Sequence, residues 1–289
     1  MYTVPIWAIL PAYNEAQALP PLLDAFSGVR QTTLPNLHVL IIDDGSKDHT
    51  ASMVEDYAAT WIQLISHSTN QGLAQAMRTG IKTALEFAND DDLIVAMDAD
   101  NTHQPGQLPA MIERINHGAD VVIGSRFRPG SEMHGIPLHR QLFSWGVSIL
   151  FQMMAPIHGV RDFSCGYRLY RARLLHAASQ LWQAELITEH GFACMAELLY
   201  KLAAVPGTQF AEIPMVLRYD WKPGASKMRV GRNMVDMLRL MWRHRGRRRP
   251  IVRIWPSPET LPGSPWARDP RSVGTSAEMN EYRYSPPGR

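Results

Sequence analysis

The chain of 289 residues contains only two cysteines, Cys165 and Cys194. They fall in different predicted elements and lack metal-ligand spacing, which argues against a disulfide framework or a cysteine-built zinc site and fits a reducing compartment. No stretch approaches ~20 uninterrupted apolar residues, so no bilayer-spanning helix is expected. The opening MYTVPIWAILPAYNE has no basic start, and its apolar run is broken by Pro5 and closed by Pro11, unlike a secretory signal. A strong charge of one sign is also missing. The formal net charge is +2, which does not by itself indicate a nucleic-acid partner. The basic residues are instead concentrated late, from Lys222 to Arg249. What remains is an ordinary globular composition, 45% apolar and 19% charged, enough for one α/β domain or two small ones.

The rest of the chain is organised around Leu93 to Pro105, LIVAMDADNTHQP. Leu93 to Met97 reads as a buried strand, because five apolar residues between Asp-rich segments are too few for a helix. Asp98 and Asp100 then leave the strand one residue apart, so their carboxylates project to one side and can converge on a cation. Oxygen ligands of this kind suit Mg²⁺ or Mn²⁺. Two acids at a strand end are equally open to a plainer reading, as solvated loop charges or a cap for the helix that follows.

Strand and helix signals alternate through the first half. Strands are predicted at Ile6–Leu10, His38–Ile42, Trp61–Ile65, Leu93–Met97 and Asp120–Ile123. Helices are predicted at Ala16–Phe26, Thr50 to about Ala59, Leu73–Phe87 and Gln107–His117. The pattern implies an α/β fold, a Rossmann-like doubly wound, mostly parallel sheet with ligands at the carboxyl ends of its strands. Those ends carry PAYNE (Pro11–Glu15), DDGSKDHT (Asp43–Thr50), the Asp98–Asp100 pair and GSR (Gly124–Arg126). Gly45 permits a tight turn, an Asp can accept hydrogen bonds from a base or ribose, and an Arg can grip phosphate. Each is weak alone, and DDGS is most often simply a turn.

In this order and spacing, PAYNE, IIDDGSKDHT, NQGLAQAMRTGI, MDADNTHQP, GSRF, DFSCGYRLYR and PGASK resemble the family 2 inverting glycosyltransferases of GT-A fold. Within them the closest resemblance is to the dolichyl-phosphate mannose synthase and polyprenyl-phosphate glycosyltransferase group, over about residues 4 to 245. The resemblance implies that Pro11, Tyr13 and Glu15 line a nucleotide pocket and that Asp43 contacts base or ribose. Asp98, Ala99 and Asp100 would serve the sugar-nucleotide diphosphate, with Asp100 the principal metal ligand and Asp98 and Thr102 beside it. Thr102 stands where relatives commonly have Gln. Arg126 would face the phosphates or the acceptor, and Lys227 would lie near the diphosphate. Trp221 occupies a position that is usually basic, which leaves Lys222 or Arg218 to supply the charge. Asp162 matches a position near the active site, with a turn or cap as the other reading.

A polyprenyl phosphate acceptor arrives already anionic, so no general base is needed. Cations on the acceptor route matter more, and Arg126, Arg140 and Ser144, one turn beyond Arg140, are the candidates. Leu138 to Ile157 reads as a helix whose Leu142, Trp145, Ile149 and Met153 either pack on the sheet or meet lipid. A last helix is predicted at Val230–His244, with Val230, Met234, Met237, Leu238 and Met241 on its apolar face. Arginines at 243, 245, 247, 248 and 249 end it, as a membrane-docking cluster or a solvated helix end.

The expected organisation is a transferase domain over 1–249, its nucleotide-binding half about 1–126 and its acceptor half about 127–249. A Pro- and Arg-rich tail without apolar periodicity follows at 250–289. The expected reaction moves mannose from GDP-mannose to dolichyl or polyprenyl phosphate, peripherally at the cytoplasmic membrane face, with a membrane-spanning partner left open and no nucleic acid. Alternatives are a UDP-sugar donor, a non-lipid acceptor, or a non-catalytic sugar-nucleotide-binding scaffold.

Overall fold

A computed structural model describes residues 2–57, 59–222 and 230–245. Strand β1 (Ile6–Ala12) lies parallel to β2 (Leu37–Asp43), with Ile6 opposite Leu37 and Ala12 opposite Asp43. Both are largely buried on their two faces, which is why they read as near-continuous apolar runs. Helix α1 (Leu19–Thr32) crosses between them and buries Leu19, Leu22, Leu23 and Phe26. It begins three residues later than the sequence pattern predicts. Pro20 and Pro21 suit only its first turn, and the amides of Ala18 and Leu19 both bond to the Glu15 carbonyl in a preceding turn.

The alternation continues with α2 (Thr50–Tyr57), β3 (Ile62–Ser66), α3 (Leu73–Phe87) and β4 (Leu93–Ala96). A short 3₁₀ turn at Pro105–Gln107 leads into α4 (Leu108–Asn116), which takes the place of the first residue of the predicted helix. There follow β5 (Val121–Ser125), β6 (Glu132–His134) and α5 (Leu138–Met154). The last part of the described chain holds β7 (Arg168–Arg171), α6 (Ala172–Trp182), α7 (Ala193–Ala203), β8 (Phe210–Pro214), β9 (Val216–Arg218) and α8 (Val230–His244).

The central sheet has seven strands in the order β3-β2-β1-β4-β7-β5-β8, and β6 pairs separately with β9. All neighbours in the central sheet are parallel except β7, which runs antiparallel between β4 and β5. Because it is reversed, β7 starts where its neighbours end: Arg168 stands opposite Ala96 of β4 and Ile123 of β5. The loop before β7 is therefore delivered to the carboxyl edge of the sheet, beside Asp98 and Arg126.

Arg168 is fully buried. Its guanidinium donates to the carbonyls of Met195 and Phe163, so this buried cation fastens the first turn of α7 to that loop. A ladder of rings ties the later helices together. Phe151 of α5 stacks on Phe163 at 5.0 Å, Phe163 on Tyr200 of α7 at 5.9 Å, and Tyr200 on His244 of α8 at 4.2 Å.

Candidate active site

The first two strand ends are laced together. The Asn14 amide donates to Ser46 Oγ at 2.9 Å, the Lys47 amide to Asn14 Oδ1 at 2.7 Å, and the Glu15 amide to Thr50 Oγ1 at 2.9 Å. Asn14 adopts φ 54°, a left-handed turn that an Asn side chain tolerates. This lacing holds Pro11, Tyr13 and Glu15 against the loop that follows Asp43.

The two acids of DDGS have different work. Asp44 accepts from the amides of Gln71 at 2.9 Å and Gly72 at 2.7 Å and pairs with His67 Nδ1 at 2.8 Å, so it fastens the entry to α3. Asp43 is buried, and its carboxylate accepts the Ser46 amide at 3.1 Å. Gly45 follows them at φ 67°, and a β-carbon there would sit 2.4 Å from the Thr69 carbonyl carbon, so the turn has no room for a side chain.

At the end of β4, Asp98 and Asp100 are joined by a buried Ala99. Asn101 takes φ 61°, which bends the chain back so that Thr102 donates to Asp100 Oδ1 through both its amide, at 3.2 Å, and its hydroxyl, at 2.6 Å. Asp100 Oδ2 receives Lys222 Nζ at 2.5 Å. His103, buried and stacked on Tyr167 at 5.3 Å, places Nδ1 3.9 Å from Asp98 Oδ2. Burial disfavours both carboxylates. Asp98, with Asp100 beside it, ends above the usual carboxylate range, while the Lys222 ammonium, the Thr102 hydroxyl and His103 together outweigh burial and hold Asp100 below it.

Gly166 gives Asp98 its room. A β-carbon on Gly166 would lie 2.9 Å from Asp98 Oδ1. A small cleft beside this carboxylate is lined by Pro11, Leu73, Met77, Met97 and Met195.

Arg126 leaves β5 towards the same edge. Its Nε and Nη2 donate to Asp162 at 2.8 and 2.7 Å, and Nη2 also reaches Ser164 Oγ at 2.6 Å. Burial lowers the Arg126 pKa, but Asp162 more than reverses that and keeps the guanidinium charged. Asp162 is fully buried and also accepts the amides of Arg126, Ser164 and Cys165, so it both aims Arg126 and closes the turn before β7.

Two further candidates lie on α5. Ser144 is half-buried there, and Arg140 sits one turn earlier, its side chain outside the described residues. Lys227, too, lies outside the described residues. The structure thus gathers Asp100, Thr102 and Lys222 into one bonded group, with Asp98 beside it. The sequence reading missed the contributions of Gly166, His103 and Asp44. A second Asp in DDGS and a Gly two residues before a strand were visible signals, but neither revealed which partner it would meet.

The described residues contain no group of three or more His, Cys, Asp and Glu able to hold a metal ion. Asp98 and Asp100 nonetheless offer the hard oxygen donors that Mg²⁺ or Mn²⁺ prefers, and such ions commonly take only one or two carboxylates, the rest of the shell coming from substrate phosphates and water.

The mostly parallel sheet thus carries paired acids at a central strand end, a basic side chain on one of them and a second acidic strand end alongside. Residues 7–177 match the model of glycosyl transferase family 2. The chain belongs to this family and is a glycosyltransferase. It is 33% identical over 239 residues to the undecaprenyl-phosphate mannosyltransferase of Micrococcus luteus, covering 81% of this chain and 93% of that one. Identity to the polyprenol monophosphomannose synthase of Mycolicibacterium smegmatis is 27% over 243 residues, covering 83% and 87%. The fold is shared with glucosyl-3-phosphoglycerate synthase from Mycobacterium tuberculosis, solved with Mn²⁺ and UDP-glucose. The TM-score is 0.60 at 18% identity, covering 83% of this chain and 79% of that one.

Proposed function

We propose that this glycosyltransferase moves a mannosyl residue from GDP-mannose to a polyprenyl or dolichyl phosphate, with inversion at the anomeric carbon. The observation that carries the reading is the Asp98–Asp100 pair, with a lysine on Asp100, at the carboxyl edge of the sheet. The similarity to two polyprenyl-phosphate mannosyl transferases, each over more than four-fifths of this chain, supports the choice of sugar and acceptor.

In this reading residues 1–126 bind the donor and 127–249 receive the acceptor. Pro11, Tyr13 and Glu15 flank the nucleoside, with Asp43 on base or ribose, and Lys227 lies near the diphosphate. Asp98 and Asp100, the latter oriented by Thr102, hold Mg²⁺ or Mn²⁺, whose charge offsets that of the departing diphosphate. An oxygen of the acceptor phosphate attacks the anomeric carbon as its bond to the diphosphate breaks. The acceptor is already anionic, so no proton has to be removed. Arg126, held rigid by Asp162, and Arg140 with Ser144 then guide the incoming phosphate, and positioning supplies much of the rate.

The acceptor's lipid tail calls for a membrane-facing surface. No helix of the described residues is long and apolar enough to cross a membrane. On α5, Leu138, Leu142, Trp145, Ile149 and Met153 are 40 to 76% exposed, in a stripe at helical spacing. Inward, α5 buries Ser148 and Phe151. Helix α8 packs against α5 and buries Met237, Leu240 and Met241. It turns Val235, Leu238 and Trp242 outward with the exposed Arg239 and Arg243, so Leu238 lies off the buried face on which the periodicity places it. These apolar side chains with flanking arginines fit peripheral docking on an anionic membrane at its cytoplasmic face.

The test is a radiolabelled transfer assay with Mg²⁺ or Mn²⁺ and polyprenyl phosphate in detergent, run in parallel with GDP-mannose and UDP-glucose. A mannosyl lipid from GDP-mannose is expected. A lipid product from UDP-glucose alone would overturn the donor, and donor consumption without lipid product would overturn the acceptor.

A further inference from the structure

We infer that Lys222 is the cation that serves the donor diphosphate in this chain, and that it waits on Asp100 until a divalent ion takes its place. The inference rests on the donor-site reading above. Two cations stand near Trp221 in the sequence, Arg218 and Lys222, and nothing in the linear order separates them.

The tertiary structure does separate them. Arg218 grips Asp220 with bonds of 2.7, 3.0 and 3.3 Å and lies over the Trp221 ring at 4.2 Å, so its charge is spent on the solvent side. Lys222 turns the other way, with its side chain only 12% exposed and its Nζ on Asp100 Oδ2.

Its position is fixed through the backbone. The Arg218 amide donates to the Thr102 carbonyl at 2.9 Å, which joins the end of β9 to the loop that carries Asp100. A 3₁₀ turn over Tyr219–Trp221 follows, closed by the Lys222 amide on the Tyr219 carbonyl at 3.3 Å. Thr102 thus bonds on both sides of the pair: its side chain and amide orient the acid, and its carbonyl anchors the strand that brings the base.

The contact has a consequence for ligand order. The oxygen that Lys222 occupies is one that a divalent ion would need. Without Lys222, Asp100 would stand beside Asp98 with no ammonium on it, and a divalent ion would bind more strongly. Once the ion is bound, a lysine on a flexible four-carbon stem is released within reach of the next anion, the diphosphate. Lys222 therefore weakens metal binding to the free protein and strengthens diphosphate binding to the metal-loaded one. A lysine that merely braced the fold would not produce opposite effects.

The experiment compares the parent chain with Lys222→Met and with Lys222→Gln, which serves if the first variant does not fold. Mn²⁺ affinity is read by electron paramagnetic resonance without nucleotide. GDP and UDP affinity is read by calorimetry at saturating Mn²⁺. Loss of the ammonium is expected to tighten Mn²⁺ about tenfold and weaken nucleoside diphosphate about tenfold, each equivalent to ~1.4 kcal/mol. If both affinities are unchanged, or both move in the same direction, the assignment of Lys222 is wrong while the donor site stands. A parent chain that binds neither Mn²⁺ nor either nucleotide would overturn the donor-site reading itself.

Discussion

Arg126 and Asp162 form a side-by-side pair with bonds of 2.8 and 2.7 Å, and the Asp162 carboxylate also accepts the Arg126 amide at 3.1 Å. One buried acid thus fixes both the backbone and the guanidinium of the arginine that closes β5. Asp162→Asn would leave that guanidinium without its counter-charge, and breaking a buried pair from one side costs about 3–5 kcal/mol. A lower denaturation midpoint, with the loss of transfer activity exceeding what unfolding accounts for, is the expected outcome. Equal stability in urea titrations would refute it.

The same pair predicts a pH dependence. Burial alone would raise Asp162, but Arg126 outweighs it and holds the carboxyl below its ordinary value of 3.8. A depressed acid contributes stability that is fully present above the unfolded value and is lost as pH falls through the folded one. The parent should therefore lose stability relative to Asp162→Asn only on acidification below about pH 4. Melting curves of both proteins from pH 7 to pH 3 measure this difference.

Asp100 carries the donor-site reading. Asp100→Ala removes the carboxylate that joins Thr102 to Lys222. Turnover should fall by at least ~10³-fold, the scale on which a removed charge-stabilising group acts, while the fold persists by circular dichroism. Unchanged turnover would remove Asp100 from the chemistry.

Gly166→Ala is a gentler probe of the same site. The added methyl would meet Asp98 Oδ1 at 2.9 Å and force the carboxylate to turn. Mn²⁺ affinity should drop about tenfold, a shift of ~1.4 kcal/mol, with the melting temperature little changed. A crystal structure with Asp98 in its original rotamer would contradict the steric argument.

The outward stripe of α5 makes a separate prediction. Trp145→Glu together with Met153→Glu places two charges where the side chains are 57% and 76% exposed. Sedimentation with anionic vesicles should fall at least tenfold, while donor binding stays the same. Undiminished sedimentation would mean that this face does not meet lipid.

Much of the fold was legible in the sequence because its first half obeys simple periods. Helix α3 and helix α8 begin and end where their apolar spacing places them, and the five predicted strands fall within two residues of their predicted bounds at either end. Strand β7 was not legible as a strand. Its four residues, Arg-Leu-Tyr-Arg, begin with an arginine that is buried only because two distant carbonyls receive it. Helix α7 was passed over for a related reason. Helix α7 buries eight of its residues, Glu197 among them, so it has no polar face to mark a period.

The sequence by itself determined the alternating architecture, the acids at the strand ends and the family, because each depends on local spacing along the chain. Which acid does what was decided in three dimensions. Asp43 and Asp44 are neighbours of the same type, yet only Asp44 is consumed by the amides that open α3. Arg218 and Lys222 carry equal charge, yet the turn between them sends one to solvent and the other to Asp100. Reversal of β7 brings Gly166 and Asp162 to the edge where Asp98 and Arg126 end. A strand's direction within a sheet is set by long-range pairing, and no local pattern encodes it.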